Sequence, residues 1–483
     1  MILTAVHQLR FILSLAFGLP FSPGSLEKLV AAARATHDEF GQIDQEGAAL
    51  INGEPLDAET LRELQTRRLR AAARAASETP YYAALFRRLA IDPRQLTLDD
   101  LTRIPLTPKS DVRDHPDAFV RRGAKPFLRA TTTGTTGTPT SIYFSTREMR
   151  VYFALAALGL LMQGLMDESD IVQISVSARG ALGNVTLAGG AAQVGALVYQ
   201  TGVVAPEAVL SLLTERHHLP GKVSKTSILY TYPSYLGALV EAGLASGLKP
   251  SDFGLKRIAI GGEVVTAGLQ ARARELFGDV TYVSNYGITE LWGMSSTLDA
   301  DSHLRFEVPH GLLEIIDPDS GEPAAPGQIG TIVGTPFPPF RETTMLLRYD
   351  TEDLVRALEP LPGTQRSSQV LGKKRLAIRH DDGSWTTPRA VLEALEWIEA
   401  VPLPARFTFY AHEGGVGVEV VTRDQGSRAR RAVASSLEAN GVPVKRLNLC
   451  SSPAEFTHAA YPLRGDLREV LFDDMPRLAE MRL

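Results

Sequence analysis

The chain has 483 residues, of which 44% are apolar and 22% charged, and its formal net charge is −5. This composition is that of a globular protein, and a chain of this length is expected to form two domains. The slightly acidic balance suggests neither nucleic acid nor an anionic membrane surface as a partner. Cys450 is the only cysteine, which excludes an intrachain disulfide framework and a multi-cysteine metal site and indicates a reducing compartment, the cytoplasm.

The first 60 residues resemble no known family and are predicted to form a helical extension or a homodimer contact. Within them, residues 11–21 (FILSLAFGLPF) are apolar but too few to span a bilayer. His7 and Arg10 supply less positive charge than the region that begins a secretory signal, and no small-residue cleavage site follows the apolar run. We therefore predict an amphipathic helix packed on the body rather than a targeting signal.

Residues 61–89 predict a basic helix, a break at Pro80 and a second helix. The arginines of the first helix are expected to form a solvated face, and a functional basic patch is the alternative.

Residues 131–140 read TTTGTTGTPT, a run of threonines with two glycines and one proline. Such a run cannot fill a core and is a poor helix former. Its glycines allow a tight turn, so that amides and hydroxyls can converge on phosphate oxygens. The common Gly-Lys-Ser/Thr phosphate loop is excluded by spacing. The alternative is a polar surface hairpin with its turn at Gly137-Thr138.

After this loop, short apolar runs alternate with helical segments. Strands are predicted at 170–177, 224–230, 257–260 and 280–283. Helices are predicted from Pro233, with Ser234 as a candidate N-cap, and from Thr266, which should cap a helix that runs to Phe277. The alternation predicts parallel pairing in an α/β fold, whose ligands bind beyond the carboxyl ends of the strands.

Two polar segments follow such strand ends, Gly261-Gly262-Glu263 and residues 284–290 (SNYGITE). In the second segment, Tyr286 offers an aromatic face for adenine, and Gly287 allows a close approach of the backbone. Thr289 can donate to a phosphate, and Glu290 is a hard oxygen ligand suited to Mg²⁺. The alternative is a Tyr-Gly turn that caps a helix through Thr289.

In their order along the chain, these segments resemble the adenylate-forming superfamily, which includes acyl-CoA synthetases, peptide-synthetase adenylation domains and luciferase. Thr140, where most members have Lys, is similar to the phenylacetate–CoA ligase branch, as are residues 104–111 (IPLTPKSD). The resemblance extends from about residue 61 to the C-terminus. It implies a large α/β domain with parallel sheets over residues 61–371 and a small α+β domain over 372–483, joined at a hinge near Gly372.

The resemblance also implies ATP and Mg²⁺ as cofactors and CoA as a possible acceptor. Residues from several motifs are assigned to ATP: Thr132, Thr133, Gly134, Thr135, Thr136, Gly137, Gly262, Glu263, Asn285, Tyr286, Gly287, Ile288, Thr289, Asp353 and Lys373. Thr136 and Glu290 are assigned to catalysis, with Glu290 on the metal and Asp353 on the ribose hydroxyls. Asp350 stands where the family often has Arg, and we predict a solvated loop carboxylate.

Two regions depart from the family pattern. Near the C-terminus, Gly465 is followed by Asp466 where the family has a catalytic Lys. Only a cation can offset negative charge on the α-phosphate, so Arg464 and Arg468 become catalytic candidates, unless the chain uses its C-terminal domain differently. Near the acyl pocket, Arg179 could clamp a substrate anion or lie at the surface. Tyr235 and Trp292 are candidate pocket walls, although either could be a core residue.

We predict an enzyme that activates a small, aromatic carboxylic acid as an acyl-AMP and transfers it to CoA or another nucleophile. An alternative on the same fold is the ATP-dependent activation of nitrite for diazotisation of an aryl amine. The missing Lys, a shortened hinge and Arg179 favour this alternative. A third possibility is a non-catalytic nucleotide-binding homologue. The histidines show no metal-ligand spacing.

Overall fold

The computed structural model describes residues 2–17, 22–40, 57–132, 139–177, 182–294, 296–299, 301–361 and 364–466. Contacts divide the chain into two compact units. The first contains Met1–Ser169, Arg179–Leu197 and Asn285–Val370, and the second contains Asp170–Ala178, Val198–Ser284 and Leu371–Leu483. The segment after Leu371 thus groups with the central strands. The chain is mixed α/β, as the sequence predicts.

The α-helices of the first unit among the described residues are α1 (Ile2–Phe17), α2 (Pro23–Phe40), α3 (Ala58–Ala76), α4 (Pro80–Leu89), α5 (Lys109–Asp114), α6 (Thr146–Met162) and α7 (Leu182–Val194). The break before α4 is confirmed: Thr79 caps this helix by accepting a hydrogen bond from the Tyr82 N–H, and Pro80 takes the first helical position.

The N-terminal helices pack within the first unit. The Glu27 carboxylate on α2 accepts two hydrogen bonds from the Arg150 guanidinium, at 2.7 and 2.8 Å. The helix predicted over residues 11–21 is confirmed as far as Phe17, and residues 18–21 lie outside the described part. No helix among the described residues is both long and apolar enough to cross a bilayer.

The threonine-rich segment connects the two strands of a hairpin. Strand β1 (Pro126–Thr131) pairs antiparallel with β2 (Ser141–Ser145). Beyond the strands, the Thr132 N–H donates to the Thr140 carbonyl and the Thr140 N–H donates to Thr132 Oγ1, both at 3.0 Å. Two strands therefore hold the base of the segment in register, and its residues 133–138 lie outside the described part.

The second unit is built on a five-stranded sheet of order β4-β3-β5-β6-β7. Its strands are β3 (Ile171–Ser175), β4 (Leu197–Gln200), β5 (Ile228–Thr231), β6 (Arg257–Ile260) and β7 (Thr281–Ser284). Strands β3, β5, β6 and β7 pair in parallel, which confirms the prediction. Helices α8 (Pro206–Thr214), α9 (Pro233–Ala245) and α10 (Ala267–Phe277) belong to the same unit.

The two predicted N-caps have different outcomes. Thr266 caps α10 by accepting a hydrogen bond from the Leu269 N–H at 3.0 Å, as predicted. Ser234 as the cap of α9 is wrong, because Tyr232 occupies the N-cap position and makes no side-chain cap bond. Pro233 at the first helical position fixes the helical φ angle without a cap.

The C-terminal part of the second unit has its own core. Its helices are α11 (Pro388–Glu396) and α12 (Ser427–Ala439), and β17 (Phe407–His412), β18 (Gly415–Val421) and β19 (Val444–Cys450) form its sheet. Valine and leucine side chains from these elements form one buried cluster. Gly441 follows α12 with a φ of 71°, the left-handed conformation that glycine allows at a helix end. Shorter strands in this part are β14 (Gly372–Lys373), β15 (Ile378–Arg379) and β16 (Trp385–Thr386).

Small antiparallel sheets complete the first unit. They are formed by β8 (Ser296–Leu298), β9 (Leu304–Phe306) and β13 (Gln365–Ser367), and by β10 (Gly311–Ile316), β11 (Ile329–Pro336) and β12 (Tyr349–Arg356). Phe306, Ile332 and Val355 belong to a buried cluster against which Tyr286 packs. These sheets thus support the segment that the sequence assigns to the nucleotide.

Candidate active site

Glu290 is a buried carboxylate that holds two partners in the first unit. Its residue is 1% exposed. Lys109 Nζ lies 3.1 Å from Glu290 Oε1, and the Tyr349 hydroxyl donates to the same oxygen at 2.8 Å. Burial, followed by the nearby Glu290 charge, raises the pKa of Tyr349 well above its usual value, so this hydroxyl remains a donor. Lys109 begins α5 and Tyr349 begins β12, so two separate elements fix one carboxylate.

The backbone of Glu290 is fixed as well. The buried Arg341 guanidinium donates to the Glu290 carbonyl at 2.7 Å and to the Thr344 carbonyl at 2.8 Å. The segment around Arg341 is held in turn by Glu148 of α6, whose carboxylate accepts the N–H groups of Glu342 and Thr343. A chain of buried polar contacts therefore sets the position of the Glu290 main chain.

Tyr286 and Asp353 form a second pair. The Tyr286 hydroxyl donates to Asp353 Oδ2 at 2.9 Å, and burial is the first cause that raises its pKa well above the usual value. The Tyr286 ring packs edge-on against Phe306, with ring centroids 6.0 Å apart. Asp353 is 5% exposed, and its N–H donates to Thr351 Oγ1. The two residues that the sequence assigns to the adenine and the ribose are thus in direct contact.

From Tyr286 the chain is irregular and leads into a turn at residues 290–293 rather than into a helix that Thr289 could cap. Gly287 lies beside Trp292: a Cβ added there would be 3.5 Å from the indole ring. The Thr289 carbonyl accepts the Trp292 N–H at 3.4 Å. Trp292 is half-buried and Asn285 is exposed, whereas Ile288 is half-buried. The candidate wall Trp292 therefore lies against the candidate nucleotide segment.

The threonine-rich loop contributes only its base to the described structure. Thr132 is half-buried, and Thr140 is fully buried. The Thr140 hydroxyl has no hydrogen-bond partner among the described residues. The other predicted loop residues lie outside the described part: Thr133, Gly134, Thr135, Thr136 and Gly137.

The second unit brings Glu263 and Arg464 together at the carboxyl ends of its parallel strands. One Glu263 oxygen accepts the Ser234 N–H at the start of α9, at 2.9 Å, and the other accepts the Arg464 N–H. Gly262 has a φ of 86°, and a Cβ there would lie 2.8 Å from Arg464 Nη1. The left-handed conformation favours glycine at this position, and the missing side chain leaves room for the guanidinium.

The Arg464 guanidinium lies over the ring of Tyr232, with Cζ 5.6 Å from the ring centroid. Tyr232 directly follows β5 and is 4% exposed. Burial raises the pKa of Tyr232, and the Arg464 charge partly opposes this effect. Because Tyr232 and Gly262 follow adjacent parallel strands, Arg464 lies at the edge of the sheet where α/β folds bind ligands.

Asp466 is paired with a cation of its own. Arg406, which immediately precedes β17, donates to both Asp466 oxygens, one of them at 2.6 Å. The Gly465 N–H between the two residues donates to Ser234 Oγ at 2.9 Å. The ion pair between Arg406 and Asp466 thus helps to hold the short 3₁₀ turn Arg464–Asp466 in place within the second unit.

The remaining predicted residues are placed as follows. Tyr235 is 1% exposed, and its hydroxyl donates to the Val204 carbonyl at 2.7 Å, so it is a buried side chain of α9. Lys373 is half-buried in β14. Arg179, proposed for the substrate, and Arg468, proposed for catalysis, lie outside the described part.

Four contacts at these sites involve residues to which the sequence assigned no role: Lys109, Arg341, Tyr349 and Arg406. Lys109 and Tyr349 do lie in segments that carry the family resemblance, which is the signal that could have identified them.

The predicted absence of a histidine metal spacing needs qualification, since Asp299, Asp301 and His303 place three possible ligand atoms within 4.8 Å of one another. Asp299 there accepts the N–H groups of its two neighbours, which accounts for the turn.

Comparisons with known proteins agree with this geometry. Residues 96–335 match the AMP-binding enzyme family. A phenylacetate-coenzyme A ligase of Thermus thermophilus is 30% identical over 311 residues, which cover 62% of this chain and 66% of that enzyme. A phenylacetate-coenzyme A ligase of Pseudomonas putida is 28% identical over 347 residues, or 70% of this chain and 75% of that enzyme.

Among solved structures, 2-hydroxyisobutyryl-CoA ligase in the postadenylation state, in complex with R3-HIB-AMP, matches with a TM-score of 0.68. The match covers 84% of this chain and 89% of that chain at 20% identity, which shows a shared fold. The fold and the ordered motifs are those of adenylate-forming enzymes, and the chain belongs to the AMP-binding enzyme family. Within that family it is a member of the phenylacetate–CoA ligase-like branch. The aligned part spans just under two thirds of the Thermus enzyme.

Proposed function

We propose that this protein is an ATP-dependent ligase that converts a small aromatic carboxylic acid into its acyl-AMP, with release of pyrophosphate, and then transfers the acyl group to the thiol of CoA, with release of AMP. The relatives in the same branch are named phenylacetate–CoA ligases, which supports an aryl acid and CoA as substrates. The substrate oxygen attacks the α-phosphorus of ATP, the bond from that phosphorus to the bridging oxygen breaks, and pyrophosphate leaves.

One observation carries the proposal: the buried Glu290 carboxylate next to Lys109, on the segment that resembles the nucleotide motif. A carboxylate is the ligand type that Mg²⁺ accepts from proteins, usually one or two per ion together with phosphate oxygens and waters. Glu290 is thus the residue that would hold Mg²⁺, and the ion would supply charge neutralisation for the triphosphate when bound. The carbonyl contact from Arg341 fixes the main chain from which this carboxylate projects.

Lys109 is the cation that we assign to the phosphates in the first unit. The phosphate loop ends in Thr140 where most family members have Lys, so the loop lacks that cation. The Lys109 side chain is partly exposed, and its Nζ lies 3.1 Å from the proposed metal ligand. A compact ammonium group is well suited to phosphate oxygens.

Asp353 and Arg464 complete the proposed roles. The Asp353 oxygens would accept the ribose hydroxyls, with the carboxylate oriented by the Tyr286 hydroxyl. Arg464 would offset the charge that develops on the α-phosphate, since it lies at the carboxyl edge of the parallel sheet.

The test measures pyrophosphate release from ATP with a panel of small acids, with and without CoA. We expect acid-dependent release with aryl acids, and at least a hundredfold loss in Glu290→Gln. Asp353→Asn should raise the KM for ATP more than it lowers kcat. Asp350→Asn is the matched control, because Asp350 lies on the same strand and its carboxylate accepts the Glu352 N–H rather than contacting a site residue among the described hydrogen bonds. Normal turnover and normal ATP binding in both site variants would reject the proposal.

A second arm of the assay separates the nitrite reaction. An aryl acid and its amino-substituted analogue are compared with and without nitrite, in the wild type and in Arg179→Ala. Acid-dependent release that needs no nitrite and is unchanged in Arg179→Ala supports the ligase. Release that requires nitrite and falls in Arg179→Ala would replace the ligase with an enzyme that activates nitrite for diazotisation.

A further inference from the structure

Two segments that supply contacts to Glu290 lie side by side in the first unit. The Thr107 N–H donates to the Arg348 carbonyl at 2.8 Å, and the Asp350 N–H donates to the Thr107 carbonyl at 3.1 Å. These bonds place Thr107 opposite Tyr349 as an isolated parallel bridge. The chain just before α5 is thereby joined directly to the start of β12.

The position of Lys109 depends on this bridge. Lys109 is the first residue of the short helix α5, and its N-cap residue Pro108 makes no side-chain cap bond in the described part of the chain. The Lys109 side chain is 22% exposed, and its Nζ lies 3.1 Å from Glu290 Oε1. Because only Pro108 separates Thr107 from Lys109, a shift of the bridge would move the ammonium group.

The Arg348 side chain fastens the segment that precedes the bridge. Its Nη1 donates to the Ile104 carbonyl at 2.7 Å. Its Nη2 donates to Glu314 Oε1 at 2.8 Å, and its Nε lies 3.1 Å from both Glu314 oxygens. The side chains of Arg348 and Glu314 are only 4% and 14% exposed. One buried guanidinium group therefore anchors the chain at Ile104 to strand β10.

The backbone of Arg348 is held in an uncommon conformation. Its φ is 46°, in the left-handed region that residues with a side chain seldom adopt. Such a conformation persists where the surrounding contacts hold it. Here the Arg348 N–H donates to Thr335 Oγ1 at 2.9 Å, in addition to the side-chain contacts. Since Tyr349 follows directly, Arg348 also determines where the Tyr349 hydroxyl meets Glu290.

We propose that Arg348 is a positioning residue that places both Lys109 and Tyr349 against the Glu290 carboxylate. Its guanidinium fixes the segment that leads to Lys109, and its backbone fixes Tyr349. This role rests on the proposed function, in which Glu290 would hold Mg²⁺ and Lys109 would bind the phosphates. Arg348 would then govern the rate through these groups, because misplacement by about 1 Å can lower a rate about a hundredfold.

Two variants remove the anchor in different ways. Arg348→Lys keeps a charge for Glu314, but a single nitrogen cannot occupy the positions of both Nη1 and Nη2. Arg348→Met/Glu314→Met replaces the buried ion pair with apolar side chains, so that neither charge of the pair is left buried alone. Arg34→Lys is the matched control, because Arg34 likewise joins a carboxylate, that of Glu168, to a carbonyl, that of Gln193. Far-UV circular dichroism checks the fold of each variant.

The first measurement reads the position of Lys109 without any catalysis. The protein is treated briefly with acetic anhydride, and the modification of each lysine is followed by mass spectrometry. In both Arg348 variants we expect Lys109 to react about threefold faster or more, since its segment opens more often. The exposed Lys125 and the Arg34→Lys protein should react as in the wild type. An unchanged Lys109 rate in both Arg348 variants would overturn the proposal.

The second measurement separates positioning from general damage. In both Arg348 variants, kcat for acid-dependent pyrophosphate release should fall about tenfold or more and the half-saturating Mg²⁺ concentration should rise. The KM for the acid should not change, because no described contact of Arg348 involves a residue assigned to the acid. An increase in the KM for the acid that matches the loss of kcat would indicate general damage and contradict the positioning role.

A double-variant comparison tests whether Arg348 acts through Lys109. Arg348→Lys should lower kcat by a smaller factor in a Lys109→Met background than in the wild type, because part of its effect is already lost. An equal factor in both backgrounds would overturn the proposal. If the wild type shows no acid-dependent release, the proposed function fails, and the acetylation of Lys109 still decides whether Arg348 positions it.

Discussion

Glu396 at the end of α11 offers a quantitative test of the packing in the second unit. Its carboxylate is buried and accepts a hydrogen bond from the Thr266 hydroxyl, which also caps α10. Burial is the main cause that raises the pKa of Glu396 to about 7, and the charges of Glu393 and Glu263 act in the same direction. The hydrogen bond from Thr266, and then the charge of Arg272, oppose the shift but do not offset it.

A carboxyl group whose pKa is raised by folding binds its proton more tightly in the folded state. Its contribution is therefore most favourable at pH values below the ordinary pKa of 4.5, and it is lost as the pH rises to about 7. Above pH 7 the folded protein must hold an unfavourable buried charge. The difference between 4.5 and about 7 corresponds to a cost of about 3 kcal/mol.

Glu396→Gln removes the charge and keeps an oxygen that can accept from Thr266. We expect the variant to be more stable than the wild type by about 3 kcal/mol at pH 8 and equally stable near pH 4.5. The measurement is urea unfolding at pH 4.5, 6 and 8. Glu438→Gln is the control, since Glu438 is an exposed side chain of α12 in the same unit. A stability difference that does not change with pH would refute the reasoning.

Two further predictions concern the proposed chemistry. Lys109→Met removes the ammonium group that lies 3.1 Å from the buried Glu290 carboxylate, and because Lys109 is partly exposed we expect a loss of about 2 kcal/mol in the free energy of urea unfolding. A loss below ~0.5 kcal/mol, the usual range for surface substitutions, would contradict this pairing. Arg464→Ala should lower the rate of pyrophosphate release at least tenfold, whereas Asp466→Ala should retain most of it.

Features set by neighbouring residues were predictable from the sequence. The parallel strands, the Thr266 cap and the break at Pro80 follow from side-chain periodicity and from residues within one turn of each other. Ser234 shows the limit of this reasoning: its residue type suits a cap, but the proline before it already sets the start of the helix. The Ser234 hydroxyl accepts the Gly465 N–H instead.

The partners of the site residues were not predictable from side-chain patterns, because they lie far apart along the chain, and only the family resemblance pointed to the segments of Lys109 and Tyr349. Glu290 is bound by Lys109 and by Arg341, and no periodicity connects these positions. Asp350 is a related case. It was predicted as a solvated loop carboxylate, but it lies in β12 and accepts the Glu352 N–H, next to a residue with a φ of 59°. The acid at this position therefore stabilises the local backbone, because its carboxylate accepts the Glu352 N–H.

Asp466 stands where a catalytic Lys is expected, and the structure gives a physical reason why this need not abolish catalysis. Its charge is matched by Arg406, so it does not act as a lone anion. The Arg464 and Gly465 N–H groups are bound independently, to Glu263 and to Ser234 Oγ. Removal of the Asp466 side chain therefore leaves two backbone anchors that keep the Arg464 guanidinium over Tyr232. Removal of the Arg464 side chain eliminates the cation itself.

Arg406→Ala breaks the same partly exposed ion pair but leaves Asp466 as a lone anion, so we expect it to lower the rate of pyrophosphate release more than Asp466→Ala does. The double variant should be no worse than either single one, because the pair can be lost only once. The readout is the rate of pyrophosphate release, together with the free energy of unfolding as a check on folding. If Asp466→Ala abolishes release while Arg464→Ala is normal, the carboxylate rather than the guanidinium takes part in the reaction, and the role assigned to Arg464 is wrong.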